Sequence, residues 1–360
     1  MLWGLSDNIH TKADMHTSIS QEQAKVSSGG CSWSLKYEDI ISAENLLLAW
    51  REFIKGKSKR ADVLEFGQYL MKNILELHHE LIERTYTHGG YHHFKIADPK
   101  PRDIHKASVR DRLLHHALYR QLYTFFDSTF ISDSYSCRQW KGTHKAMNRF
   151  KSFALKVSKN NTHTCWILKC DIRKFFASID QEVLMNVLAK YIHNQDTFWL
   201  IGQIVKSFHS TATGKGLPLG NLTSQLLVNI YMNEFDQFVK HTLKIKHYIR
   251  YADDFVILST DRNHLIKIVT YMELFLCDKL KLAFNPNKVS IATLASGIDF
   301  LGWVHFHDHR VLRTATKRRM LCRIEETKRK EEVVSSYLGM LSHGNAYKLK
   351  QKIVSKNLHL

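Results

Sequence analysis

The stretch "YIRYADDFVIL", residues 248–258, decides how this chain is read. Two adjacent aspartates, Asp253 and Asp254, interrupt a run of β-branched and aromatic residues that otherwise reads as buried strand. A buried carboxylate without a partner costs several kcal/mol, so their position needs a cause. The apolar residues on either side predict strands at about 247–251 and 255–259, with a hairpin turn projecting carboxylates from its tip. A separate apolar run, "CWILKCDI" at 165–172, ends in a third carboxylate, Asp171. Convergent carboxylates repel one another unless a cation neutralises them. Oxygen donors of this kind suit Mg²⁺, which completes its shell with water and substrate phosphate. A pair of such ions activates an attacking oxygen and stabilises a leaving one. The plain alternative is a surface Asp-Asp turn, since the dipeptide alone is a weak motif.

The rest of the chain narrows the choice. It has 360 residues, enough for about two or three domains or subdomains, and 44% of them are hydrophobic, enough for a sizeable core. Lys and Arg number 52 against 34 Asp and Glu, a formal net charge of +18. Such an excess points to a polyanionic partner, nucleic acid before an anionic membrane surface. No apolar run is long enough to span a membrane, and the N-terminus lacks the order of a signal peptide, so a cytoplasmic location is expected. Cys31, Cys137, Cys165, Cys170, Cys277 and Cys322 form no C-x-x-C pair and read as free thiols rather than a zinc or disulfide framework.

Residues 1–36 are polar and read as a flexible extension. Helical patterning follows over 38–88. "DPKP" within 91–107 suits an extended hairpin, and "SVRDRLLHHALYRQLYTFF" returns to helix. Residues 180–208 read as helical, and "TGKGLPLGNLTSQ" at 213–225 as a loop leading into a capped helix. A helix is expected over 262–280, then a turn and strand in "KLAFNPNKVSIA", a hairpin in "DFLGWVHFHDHRVLR", and basic helices from 315 onward. This irregular mixture argues for an α+β fold rather than regular βαβ winding.

Several of these blocks, in this order, resemble the reverse transcriptases. "RYADDFVIL" resembles their Y-x-D-D signature, and "LKCDIRKFFASID" resembles the first catalytic block. "GLPLGNLTSQ" resembles the nucleotide-contacting loop, "LAFNPNKV" the lysine block, "FLGW" the primer-grip hairpin and "DPKPRDIHKASVRDRLLHHAL" the fingers block. The resemblance covers about 37–350. It implies an α+β right-hand polymerase with N-terminal helices and fingers over 37–164, a palm over 165–309 and a basic helical thumb over 310–360. It further implies that Asp171 and Asp253 hold two Mg²⁺ ions, with Mn²⁺ as a substitute, and that Asp254 is the third acidic position. The carbonyl of Ile172 would face the nucleotide-side metal, and Phe176 would exclude a ribose 2′-hydroxyl. Lys100 and Arg102 would hold triphosphate oxygens, and Lys288 would protonate leaving pyrophosphate or stabilise its charge. Leu219, Gly220 and Gln225 would contact the nucleotide, and Arg110, Arg112, Lys317, Arg318 and Arg319 the nucleic acid. Core packing is the alternative for Phe176 and Leu219, and a solvated basic face for the cations.

One block departs from the commoner pattern. Leu219 stands where most branches carry Gln, and Gln225 where they carry Pro. This form resembles the reverse transcriptases of diversity-generating retroelements, as do "YSCRQWKGTHKA" (135–146) and "SYLGMLSHGNAYKL" (336–349). That resemblance implies a bacterial or phage-encoded enzyme that copies a template-repeat RNA with errors at adenines, working with a small basic oligomeric accessory protein. Another bacterial reverse transcriptase, or an RNA-binding scaffold with little activity, is the alternative. His305, His307 and His309 alternate and would share a strand face, yet no partner block makes them a zinc site, and the doublets His78-His79, His92-His93 and His115-His116 read as surface histidines.

Overall fold

The computed structural model describes residues 36–97 and 101–355. The extension expected over 1–36, apart from Lys36, lies outside the described residues, as does Lys100. In chain order the elements are α1 (Tyr37–Ile41), α2 (Ala43–Phe53), α3 (Ala61–Gln68), α4 (Leu70–Ile82), β1 (Tyr91–Ile96), β2 (Arg102–Ala107), α5 (Val109–Thr129) and α6 (Thr143–Val157). Then come β3 (Trp166–Asp171), α7 (Phe175–Ser178), α8 (Gln181–Ala189), α9 (Gln195–Lys206), α10 (Leu222–Gln237), β4 (Tyr248–Tyr251), β5 (Asp254–Ser259) and α11 (Arg262–Leu280). The chain ends through β6 (Ser290–Thr293), β7 (Ile298–Phe300), β8 (Trp303–His305), β9 (Arg310–Leu312), α12 (Thr314–Glu326), α13 (Glu331–Leu341) and α14 (Tyr347–Ser355). The fold is α+β, with every strand pair antiparallel.

The chain forms two compact units, each assembled from separated stretches. The first comprises residues up to 131 with 174–236 and 278–282. Its helices α2 and α5 are nucleated by serine caps: Ser42 Oγ accepts from the Asn45 N–H, and Ser108 Oγ from the Asp111 N–H. Ser42, with extended backbone, divides the first expected helix into α1 and α2. The apolar faces of α2, α4 and α5 bury Leu46, Leu77, Leu113 and Leu118. Asn45 crosses this core, its amide donating to the carbonyls of Ile40 and Ala117. β1 and β2 form the expected hairpin, paired from Tyr91 with Ala107 to Ile96 with Arg102.

The second unit, residues 132–173, 237–277 and 283–355, holds the sheet in which the opening stretch lies. Its strand order is β4-β5-β3-β6, with α6 against β4 and β5. Tyr248, Ile249, Phe255 and Val256 are buried in it, which is what their β-branched and aromatic side chains require. The hairpin expected after residue 298 carries a third strand: β7-β8-β9 is a meander, because a turn at 306–309 returns the chain. Helices α12–α14 pack Met320, Ile324, Tyr337, Leu341 and Ile353 around Trp303. Gly344 is obligatory in that packing, since a Cβ there would stand 2.0 Å from the Trp303 ring. The five described cysteines are free thiols, and no described helix is long and apolar enough to cross a membrane.

Candidate active site

The site is set by strand register. β3 and β5 pair so that Asp171 lies directly opposite Asp254. Cross-strand partners share a face, so both carboxylates occupy the same side of the sheet. Between Tyr251 and Asp254, which also pair, the chain turns through only Ala252 and Asp253. Asp253 alone therefore sits at the tip; the expectation that both aspartates project from it is corrected, because Asp254 opens β5. Ala252 takes a φ of +56°, unusual for a side-chain-bearing residue, so the turn is held from outside itself.

Arg250 does the holding. It is fully buried, and its guanidinium donates to the Ala252 carbonyl at 3.1 Å and to Ser134 Oγ at 3.1 Å. Its backbone is clamped as well, the N–H donating to the Asp133 carbonyl and the carbonyl accepting from the Tyr135 N–H. The buried Asp133 carboxylate in turn takes Arg149 at 2.8 Å, with Lys240 at 3.6 Å. A basic residue inside an apolar strand is the signal that could have identified Arg250 from sequence.

A second clamp fixes Asp171. The Asn285 N–H donates to its backbone carbonyl at 2.8 Å, and Lys288 Nζ donates to its Oδ2 at 2.7 Å. The short turn Pro286–Lys288 is capped by Asn285 Oδ1, which accepts from the Asn287 N–H. Thus "NPNK" is a device for presenting Asn285 and Lys288 to one carboxylate; Asn285 escaped the sequence reading. Ile172 bridges Phe284, and its N–H donates to the Asp253 carbonyl at 3.2 Å, tying the two acidic segments together. In an extended strand its carbonyl lies on that same side.

Burial pushes the Asp254 carboxyl up to about 7; Lys169 opposes the shift, and Asp253, Asp171 and Asp299 add to it. Its Oδ1 is buried with no hydrogen-bond partner. An orphaned carboxylate oxygen facing a second carboxylate is the arrangement an oxygen-seeking dication relieves. Among the described residues no group of three or more His, Cys, Asp or Glu is close enough to hold a metal by itself. The donor set is that of an ion held by one or two carboxylates and completed by substrate, which fits Mg²⁺.

The remaining expected residues separate into those presented and those engaged. In the first unit, Leu219 is half-buried, and its carbonyl accepts from the His105 N–H at 3.1 Å, joining the loop to β2. Gly220 has a φ of +105°, and a Cβ there would meet Ile104 at 3.0 Å, so glycine is required. Gln225 is half-buried on the first turn of α10. Phe176 is half-buried beside the buried Phe175, and its carbonyl accepts from the Leu217 N–H at 2.9 Å. Arg102 is half-buried at the start of β2 and makes no ion pair among the described residues. Arg110 pairs with Glu80 and lies over the Tyr86 ring, while Arg112 donates to Asp62 at 2.7 Å and lies over Phe53. Both guanidiniums are thus engaged inside the protein. In the second unit, Lys317 and Arg318 are exposed on α12, with Arg319 half-buried beside them.

The histidines differ from expectation. His115 is buried and His116 half-buried, because α5 is covered on that side; they are not surface residues. His305 is buried, with its Nε2 3.2 Å from the Phe300 carbonyl, whereas His307 and His309 fall on or beside the 306–309 turn, so the three do not share a strand face.

Comparison with known proteins bears on the family rather than on the geometry of the site. Residues 96–305, more than half of the chain, match the model of the family described as reverse transcriptase (RNA-dependent DNA polymerase). The chain is 25% identical to Protein YkfC of Escherichia coli over 61% of its own length and 65% of that protein's. It is 22% identical to the group II intron-encoded protein LtrA of Lactococcus lactis, over 71% of its own length and 52% of that protein's. The chain therefore spans about half to two thirds of the length of these relatives. An apo telomerase structure from Candida tropicalis aligns over 61% of this chain and 48% of its own, at 12% identity and a TM-score of 0.48. On the family match, which contains Asp171, Asp253 and Asp254, this chain belongs to the reverse transcriptase family.

Proposed function

We propose that the protein is an RNA-directed DNA polymerase that copies an RNA template into cDNA from a nucleic-acid primer. The observation that carries this reading is the facing pair Asp171 and Asp254, with Asp253 at the adjoining turn and an orphaned oxygen on Asp254. Bound Mg²⁺, held by Asp171 and Asp253, would supply activation of the primer 3′-hydroxyl and charge neutralisation at the deoxynucleotide's α-phosphate. The protein's own residues do the rest. Asn285 and Lys288 fix Asp171, Arg250 holds the turn that carries Asp253, and Lys169 offsets part of the repulsion at Asp254. Lys288, 2.7 Å from Asp171, is placed in this reading to meet negative charge on the leaving pyrophosphate. Arg102 binds triphosphate oxygens, Phe176 excludes the 2′-hydroxyl, and Lys317, Arg318 and Arg319 contact the template-primer. In this reading residues 37–164 contribute N-terminal helices and fingers, 165–309 the palm and 310–360 the thumb.

Within the family, the loop favours the diversity-generating branch. A Gln side chain is oriented by hydrogen bonds, whereas Leu219 offers shape without them. A site that loses oriented polar contacts discriminates less between substrates. Leu219 is half-buried on a loop rather than packed in a core, which supports a role in substrate contact. The partners in this reading are a template-repeat RNA and a small basic accessory protein. Extension of a primer along an adenine-rich RNA, with the product sequenced, tests it. Errors concentrated at adenines, reduced in Leu219→Gln, are expected; faithful synthesis by both proteins would keep the polymerase and place it in another branch.

A further inference from the structure

The second unit carries a basic groove that the polymerisation reading does not use. Helix α6 and the residues after it, 143–160, contain Lys145, Arg149, Lys151, Lys156 and Lys159 and not one Asp or Glu. Arg149 is spent on Asp133, but Lys151, Lys156 and Lys159 are exposed and make no ion pair among the described residues. These three lysines line a shallow groove of about 570 Å³. Through Asn148 and Lys151 it runs into a cavity of about 320 Å³, closed by the β8–β9 turn and by residues 342–345 between α13 and α14.

The cavity is built rather than incidental. Arg310 enters it, donating from Nε to the His343 carbonyl and from Nη2 to Asn148 Oδ1 at 3.1 Å. Its Nη1 is buried with no hydrogen-bond partner. A guanidinium nitrogen without an acceptor is the polar group an incoming anion satisfies, and arginine's fork suits phosphate. His307, His309 and His343 add ring nitrogens to the lining. Its one acid, Asp308, is met by His309 at 2.6 Å. Burial, then the nearby Arg310 and Lys350, hold His343 below its ordinary range.

We propose that this groove binds the phosphodiester backbone of a nucleic acid, with Arg310 as the anchor and Lys151, Lys156 and Lys159 tracking the strand. From Asn148 to its end at Val157 the helix spans about 14 Å, the length of about four nucleotides of one duplex strand, with Lys159 just beyond. The surface holds a structured part of the RNA independently of the template-primer.

Fluorescence anisotropy with a hairpin RNA, across a salt series, tests the proposal on the full chain. Neutralising Lys151, Lys156 and Lys159 to Gln removes three phosphate contacts. The log-log salt slope then becomes shallower by about 2, and affinity at 0.15 M salt falls about 50-fold. Arg310→Gln alone weakens binding about fourfold by the same relation. Primer extension at saturating short template-primer is expected to persist in every variant, since none of the four residues touches the reacting groups, and thermal melting checks the fold. Duplex DNA of equal length and inorganic phosphate serve as competitors, which separates RNA from DNA and a backbone from free phosphate. Unchanged affinity and slope in folded variants, displacement by millimolar phosphate alone, or binding that transfers to anionic vesicles but not RNA would each overturn it.

Discussion

Two aspartates, one in each unit, differ in how far the fold satisfies their carboxylates. Asp111, on α5, is fully buried and fully spent. Its Oδ1 accepts from Tyr86 Oη at 2.9 Å, and its Oδ2 from the Gly89 N–H at 3.1 Å and from Ser108 Oγ at 2.7 Å. Gly89 is glycine for this purpose, since a Cβ would stand 2.8 Å from Oδ2. Asp254 is half-buried, yet its Oδ1 is shielded from water with no donor, and it lies opposite Asp171. Nothing about residue type distinguishes them. One has had its donors supplied by the fold; the other keeps an oxygen with no donor among the described residues. A carboxylate oxygen left without a donor costs stability.

The comparison breaks most visibly at Asp171. Asp171→Asn should lower single-nucleotide incorporation about a thousandfold, equivalent to about 4 kcal/mol of transition-state stabilisation, without altering circular dichroism. Activity within tenfold of wild type would remove the sheet carboxylates from the chemistry. The converse holds at Asp111. Asp111→Ala removes the acceptor of the buried Tyr86 hydroxyl and of the more exposed Gly89 and Ser108 donors, and should cost about 2–3 kcal/mol in urea unfolding; a loss below about 1 kcal/mol would mean its hydrogen bonds are dispensable.

Arg250→Met keeps apolar volume while removing the bonds to Ala252 and Ser134. It should cost about 3 kcal/mol and reduce turnover, because the turn bearing Asp253 loses its support. Undiminished turnover would show that Ala252 holds its conformation unaided. On the α5 side, His116 is held down at about 4 by burial first and then by Lys57, Arg112 and Arg120. The unfolded imidazole binds its proton near 6.5, so its contribution is complete above that pH and is lost as pH falls from 6.5 to about 4. His116→Gln should flatten the loss of stability over this window by about 2 kcal/mol. Identical acid profiles would mean His116 is solvated in the folded chain. The smallest effect is expected at Asp254: Asp254→Asn should change stability by less than about 0.5 kcal/mol or raise it, since no donor is stranded. A loss as large as that at Asp111 would erase the contrast.

The local signals in this chain were strong enough to be read directly. The apolar runs of β3, β4 and β5 and the extended pair β1 and β2 depend on neighbouring residues, and the structure places those elements as the sequence led one to expect. Sequence spacing does not fix register, so it did not reveal that Asp254 pairs with Asp171 while Asp253 alone occupies the tip. Partners across long separations were equally hidden. Arg250 to Ser134, Asn285 to Asp171 and Arg112 to Asp62 are each fixed by tertiary packing, which no window of sequence contains. His115 shows the same limit, since a charged-type residue on a helix reads as exposed until the element that covers it is known.

The most direct test of the central claim is single-turnover incorporation of one deoxynucleotide on an RNA template, followed across a Mg²⁺ titration for the wild type and Asp253→Asn. Saturable Mg²⁺ dependence is expected in the wild type and near-complete loss in the variant at every Mg²⁺ concentration, with both proteins equally folded. Incorporation by the variant at the wild-type rate would contradict the claim.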